Sequence, residues 1–267
     1  MEAIDAAKLQ PRTAGIIWGD AKTGKTTYAM SLPGRKLLIN FDPDGYAAVM
    51  YRDDFDVLDF SILPAKDAIA NAKKAADYII THHEKYESVI VDSLTTLTET
   101  SLHDAIVRGI GKSTSFTPTI DAPGLAGYGA RNSTANDVIS RILRASAQKG
   151  LHCWFIAHSD DPEYDKKGDN IVQQTIMLSA KIRNIVSLKV SEIWHITQSG
   201  SNKRMMYLAP FGVKKPMGSR MFNTQKVDRF ELKFDIDEPE ADQPCALANI
   251  IDTWRDDGMK KLSTAPR

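Results

Sequence analysis

The segment GDAKTGKT, residues 19–26, spaces two glycines, a lysine and a threonine in the pattern G-x-x-x-x-G-K-[ST]. Each residue type has a task in that pattern. Gly19 and Gly24 permit backbone conformations that aim successive N–H groups inward at phosphate oxygens. Lys25 is long enough to reach the β- and γ-phosphates, and the Thr26 hydroxyl is a hard oxygen ligand for Mg²⁺. A helix starting at Lys25 adds the positive end of its dipole. The spacing therefore predicts a phosphate loop for a nucleoside triphosphate, ATP with Mg²⁺. Its expected contacts are Gly19, Asp20, Ala21, Lys22, Thr23, Gly24, Lys25, Thr26 and Thr27.

A metal held by Thr26 needs a second oxygen ligand, usually a carboxylate at the end of a neighbouring strand. Asp92 closes the apolar run SVIVD and takes that role, and Ser93 after it is placed to order the metal's waters. Hydrolysis also needs a group that orients the attacking water. Asp42, in INFDPDG, is the candidate and Asp44 the alternative. An Asp ahead of Pro43 equally suits a plain turn. His158 ends the run WFIAH, where it could donate a hydrogen bond to the γ-phosphate or its water. A lone histidine at a strand end also serves structure, so both readings stand.

Residues so far apart in sequence need a scaffold that gathers them. Short apolar runs alternate with helix-period segments. AGIIWG (14–19), LLINFD (37–42), FDVLDF (55–60), SVIVDS (88–93) and LHCWFIAHS (151–159) read as strands. Helices are expected at 25–31, from Pro64 onward, at 94–108, at 133–148 and near 181–188. Ile69, Ala72, Ala76, Ile79 and Ile80 fall on one helical face. Residues 109–127 and 159–175 read as loops, and Gly127, Tyr128 and Gly129 as either a plain turn or a functional element. EIWHITQS (192–199) and RMMYLAP (204–210) form a hairpin across SGSN. Such alternation predicts an α/β fold with a mostly parallel central sheet, helices on both faces and a C-terminal antiparallel hairpin. Residues 1–229 form the expected core. Residues 230–267 are an acidic C-terminal segment with a short helix packed on it.

The bulk numbers narrow the class. The chain has 267 residues, 42% hydrophobic and 25% charged, an ordinary globular mix. Lys plus Arg and Asp plus Glu both number 34, so net charge names no partner. Cys153 and Cys245 fit neither a disulfide framework nor a zinc site. No apolar run approaches the ~18 residues of a membrane span, and the first residues lack an apolar signal core. A soluble, cytoplasmic protein without membrane contact is expected. Trp18, Trp154 and Trp194 read as core, and His195 as packed rather than catalytic.

The order of loop, acid after the next strand, SVIVD, and polar residue after a further strand resembles the RecA-type ATPase core. The pieces GIIWGDAKTGKTTYAMSLPGRKLLINFDPDG, SVIVDSLTTL, WFIAHS and SEIWHIT are similar to the small phage ATP-binding proteins built of a RecA-like core alone. Some of those act as single-strand annealing recombinases. The resemblance covers about residues 12–222. It places Asp42 where RecA-like enzymes carry a catalytic Glu, one methylene longer. It places His158 where RecA has a Gln that couples nucleotide state to DNA. Related proteins also carry a Lys-x-Arg pair that reaches the neighbouring subunit's γ-phosphate. Here KKPMGSR (214–220) supplies Arg220, but Gly218 stands at the Lys position and Lys214 or Lys215 would have to substitute. The resemblance thus implies self-association into a ring or filament. It also implies single-stranded DNA as partner, a single-strand-binding protein or other replication proteins nearby, and a bacterial host cytoplasm if the gene is a phage's.

Charge distribution bears on the nucleic acid. Residues 181–229 hold Lys181, Arg183, Lys189, Lys203, Arg204, Lys214, Lys215, Arg220, Lys226 and Arg229 against Glu192 and Asp228, a net of about +8. Asp235, Asp237, Glu238, Glu240 and Asp242 then reverse the sign. A phosphate-tracking face beside an acidic flank is one reading, and a solvated surface the other. Arg108, Lys112, Phe116 and Tyr128 offer cations and aromatics for single-stranded DNA. The loop after His158 has Tyr164, Lys166 and Lys167 but also five acids. Two other functions fit the motifs: an ATPase switch or accessory factor acting on protein partners in replication or packaging, and a non-catalytic nucleotide-binding assembly module.

Overall fold

The computed structural model describes residues 11–43, 45–167, 170–198, 203–232 and 245–266. Asp44, Asp169, the SGSN connection and the acids from Asp235 to Asp242 lie outside the described residues. The apolar runs form β1 (Ala14–Gly19), β2 (Lys36–Asn40), β3 (Phe55–Asp59), β4 (Ser88–Asp92), β5 (His152–His158) and β8 (Glu192–Gln198), all mutually parallel. β9 (Arg204–Tyr207) and β10 (Arg229–Leu232) extend the sheet antiparallel. The order across it is β10-β9-β8-β1-β5-β4-β2-β3. β6 (Glu163–Tyr164) and β7 (Ile171–Gln173) form a separate ribbon.

The helices are α1 (Lys25–Ala29), α2 (Ala65–His82), α3 (Leu94–Val107), α4 (Gly124–Gln148), α5 (Ala180–Ser187) and α6 (Leu247–Asp256). Successive side chains of a strand point to opposite faces, so β1 feeds two cores. Ile16 and Trp18 join α2, α3, α4 and α5 on one face through residues such as Ile69, Leu97, Ile139 and Ile182. Ile17 joins α1 and α6 on the other through Tyr28, Ile250, Ile251 and Trp254. The sheet is covered on both faces, which is why its central strands are apolar throughout.

Three local expectations change. The helix expected from Ser133 begins at Gly124, so Gly127, Tyr128 and Gly129 are helical and the loop before it is shorter. Glycine disfavours a helix interior, but packing overrides that here. A Cβ at Gly127 would stand 2.9 Å from the Pro123 Cβ and 3.8 Å from the Ile106 Cδ1 of α3. The loop at 159–175 contains the β6–β7 ribbon. The segment after the basic run contributes β10, which crosses the boundary expected at residues 229 and 230. No helix among the described residues is long and apolar enough to cross a membrane.

Candidate nucleotide site

The parallel register brings the chemistry to one edge. Gly19 at the end of β1 pairs with His158 at the end of β5, and Asp92 at the end of β4 pairs with Asn40 at the end of β2. Ligands of open α/β sheets bind outside these carboxyl ends. The loop after Gly19 curls tightly, with Lys22 at φ 63° and Gly24 at φ 89°. Left-handed backbone of this kind turns N–H groups into a concave anion nest. The Thr23 hydroxyl and the Lys25 ammonium both donate to the Asp20 carbonyl, at 2.9 and 2.6 Å. Burial lowers the Lys25 pKa to about 8, against the opposing pull of Asp92, Asp20 and Asp42.

Thr26 Oγ1 donates to Asp92 Oδ2 at 2.7 Å. Asp92 is buried, and that burial raises its pKa to about 6, with the Thr26 hydrogen bond opposing. One hydroxyl and one carboxylate oxygen side by side suit Mg²⁺, which takes few protein ligands and completes its octahedron with phosphates and water. Burial drives Asp92 toward the neutral acid, and a divalent cation at this point would hold it ionised. The residues therefore fit a magnesium triphosphate.

Asp42 lies two residues beyond β2, held by Phe41 N donating to the Asp92 carbonyl at 2.6 Å and Asn40 Nδ2 donating to the Asp42 carbonyl at 2.9 Å. Gly45 N closes a turn on that same carbonyl at 3.0 Å. The turn thus uses the backbone of Asp42, while its carboxylate faces the site. Ser93 Oγ donates to it at 3.0 Å, Thr96 Oγ1 donates closely, and His158 Nε2 stands 3.4 Å away. Burial pushes the Asp42 pKa up, but the hydrogen bonds from His158, Thr96 and Ser93 outweigh it and hold the carboxyl below its ordinary value. Ser93, which donates to Asp42, also caps α3 by accepting from Thr96 N at 3.2 Å. The Asp92–Ser93 peptide is cis.

Lys22, Gly24, Lys25, Thr26, Thr27, Asp42, Asp92, Ile156 and His158 wall a cavity of about 330 Å³ together with Arg204. Gly19, Asp20, Ala21 and Thr23 build the loop behind that wall. Sequence reasoning did not place Arg204 here, because it arrives on β9 and only strand pairing reveals its position. Its Nε donates to the Thr23 carbonyl at 3.2 Å.

Arg220 is elsewhere. Its backbone N–H donates to Glu192 at the start of β8, and its side chain lines a groove of about 980 Å³ with Arg12, Ala14, Lys189, Trp254 and Lys261. That groove opens at the other end of β1, ~17 Å of strand from the phosphate loop. It is the larger hollow, but it holds neither the loop nor its carboxylates. Lys214 lies nearer the loop, where burial lowers its pKa against the pull of Asp20. The basic stretch is therefore divided between two ends of the sheet and is not one face.

Arg108, Lys112, Phe116 and Tyr128 lie outside the cavity. Arg108 is neutralised by Asp104 at 2.7 Å. Lys112 and Phe116 are exposed on the connection, and Tyr128 sits on α4 with the Arg131 guanidinium 4.9 Å from its ring centroid. His195 packs on Trp18 with ring centroids 4.1 Å apart.

Among solved structures, the chain is similar to one titled as the crystal structure of the RadB recombinase. The identity is 12% and the TM-score 0.41, over 74% of this chain and 81% of that one. A search of curated proteins finds no match. The phosphate loop, its carboxylates and the sheet that aligns them fall within residues 12–213, over which the chain matches the AAA domain model, and the chain belongs to that family of P-loop proteins.

Proposed function

We propose that this chain binds and hydrolyses ATP with Mg²⁺, and that its nucleotide state controls assembly on single-stranded DNA in recombination or annealing. The observation that carries the ATPase half is the convergence of Lys25, Thr26, Asp92, Asp42 and His158 on one cavity. In this reading the loop amides and Lys25 hold the phosphates, and Thr26 and Asp92 hold the metal. Bound Mg²⁺ supplies charge neutralisation at the β- and γ-oxygens. Asp42 accepts a hydrogen bond from the attacking water, and His158 fixes the far side of that carboxylate. Water adds to the γ-phosphorus as the bond to the β-phosphate oxygen breaks, giving ADP and phosphate. A carboxylate held below its ordinary pKa is a weak base, so Asp42 orients water better than it removes the proton.

The DNA half draws support from the exposed Lys112 and Phe116 and from the cations around the far groove, among them Arg220. Arg220, too distant to serve its own loop, is free to meet a neighbour's, which suits a ring or filament. The competing reading, a switch acting on protein partners such as replication proteins, draws on the division of the basic stretch between two ends. Binding to labelled single-stranded DNA at low salt, with Mg²⁺ and a non-hydrolysable ATP analogue, separates them. Tighter binding with the analogue is expected. No binding under those conditions, with turnover indifferent to DNA, would replace this reading by the protein-partner one.

A further inference from the structure

Arg204 has no assigned task. It is the first residue of β9, and its backbone is fixed from both sides, opposite Gln198 of β8 and Leu232 of β10. Its side chain crosses to the phosphate loop and lines the cavity beside Lys25, Thr26, Asp92 and His158. A guanidinium carries five N–H donors in a planar fork, and the Thr23 carbonyl uses one of them. Among the described residues no carboxylate lies within ion-pairing distance of it. The adjacent Lys203, by contrast, points to Glu231 at 3.9 Å. An arginine half-buried beside an anion nest, with donors to spare and no acid to neutralise it, is arranged for an anion.

Resting on the nucleotide-binding reading above, we propose that Arg204 is a phosphate-binding residue of the same site, contacting the polyphosphate chain of the bound nucleoside triphosphate from within the same chain. Arg–phosphate contacts are commonly bidentate and charge-assisted. Arg204 and Lys25 both rest on loop carbonyls, those of Thr23 and Asp20. Each can turn from that carbonyl to a phosphate oxygen with little reorganisation. An in-chain guanidinium also answers the departure at Gly218: the site has a second cation without a neighbour.

The test compares Arg204→Gln and Arg204→Lys with the unchanged protein, titrating Mg²⁺-ATP by calorimetry with thermal melts alongside. Gln keeps a donor for the Thr23 carbonyl but loses the charge, so a purely structural brace would survive it. Arg204→Gln is expected to weaken Mg²⁺-ATP binding about 10- to 100-fold at an unchanged melting temperature, and Arg204→Lys to recover part of that loss. Binding by Arg204→Gln within about twofold of the unchanged protein overturns the proposal while leaving the nucleotide-binding reading in place. If the unchanged protein binds no Mg²⁺-ATP, both fall together.

Discussion

The two ends of β1 make opposite use of polar residues. At Gly19 cations and carboxylates converge: Lys25 and Arg204 face Asp92 and Asp42 across a small cavity, each with a defined partner. At Ala14 the groove is larger, and Arg12, Lys189, Arg220 and Lys261 rim it without an acid among the residues that line it. The carboxylate there, Glu192, is turned inward. It accepts from Trp194 Nε1 at 3.0 Å, Ser219 Oγ at 2.5 Å, Arg220 N at 2.8 Å and Met221 N at 3.2 Å. A cavity with both signs can hold a metal and polarise a reaction. A rim of one sign attracts anions, in keeping with the assembly or polyanion contact proposed above for the second end.

Breaking the first end should have the largest effect. Lys25→Ala is expected to abolish ATP turnover, a loss of about 10³-fold or more given the size of preorganised electrostatic contributions. Undiminished phosphate release by that variant would remove the loop from the mechanism. Asp42→Asn should reduce turnover about 100-fold while Mg²⁺-ATP affinity stays within a few-fold, because the proposed mechanism has Asp42 orient water and not nucleotide. Equal losses in both quantities would place Asp42 in binding instead.

The second end sharpens the contrast. Arg220→Ala should leave nucleotide affinity within about twofold and lower turnover about tenfold only at protein concentrations where subunits assemble. Turnover that falls equally at every concentration would deny a contact between subunits. Glu192 gives a pH signature of its own. Burial raises its pKa from 4.5 to about 7 against four hydrogen bonds. The folded form then keeps a proton that the unfolded chain releases, so this group's contribution to stability falls as pH rises through that window. His152 and His195, lowered to about 4 and about 3 chiefly by burial, act in the other sense below the ordinary histidine pKa. The test is therefore a difference: the unfolding free energy from urea titrations should fall more between pH 5 and pH 8 for the unchanged protein than for Glu192→Gln, by about 1–3 kcal/mol. A parallel shift of both would exclude Glu192 as the source. The smallest effect is expected outside both ends, where Lys112→Ala should weaken single-stranded DNA binding about two- to fivefold and flatten its salt dependence.

What was legible in the sequence follows from how local each signal is. The phosphate loop occupies eight consecutive residues, and the apolar runs before Asp92 and His158 announce strand ends. The parallel sheet then had to align those ends. Asp42 was legible as a position but not as a contact: the turn around Pro43 and the carboxylate facing Ser93, Thr96 and His158 compete in sequence and coexist in space. Arg204 was illegible because 181 positions separate it from its partner Thr23. The basic stretch misled for a related reason. β8 runs seven residues from the groove to the phosphate loop, so cations that are neighbours in sequence finish at opposite ends. The early start of α4 was hidden by its glycines, of which Gly127 packs close to Pro123 and Ile106, a contact that composition does not report.

The helix that carries Lys25 and Thr26 is only five residues long, too short to stand on its own hydrogen bonds. α6 holds it in place. Tyr28 Oη donates to the Cys245 carbonyl at 3.1 Å, and the N–H groups of Leu247 and Ala248 donate to Ser31 Oγ and its carbonyl at 3.0 and 2.9 Å. Leu247, Ile250, Ile251 and Trp254 are buried beneath, each contributing about 1.5–3 kcal/mol, together comparable with the whole stability of a domain. A chain cut after residue 213 would keep every residue of the recognised family match and lose the support of its phosphate-binding helix. The unit that folds around the phosphate loop is therefore longer than the segment the family match covers, because residues 245–254 pack against it.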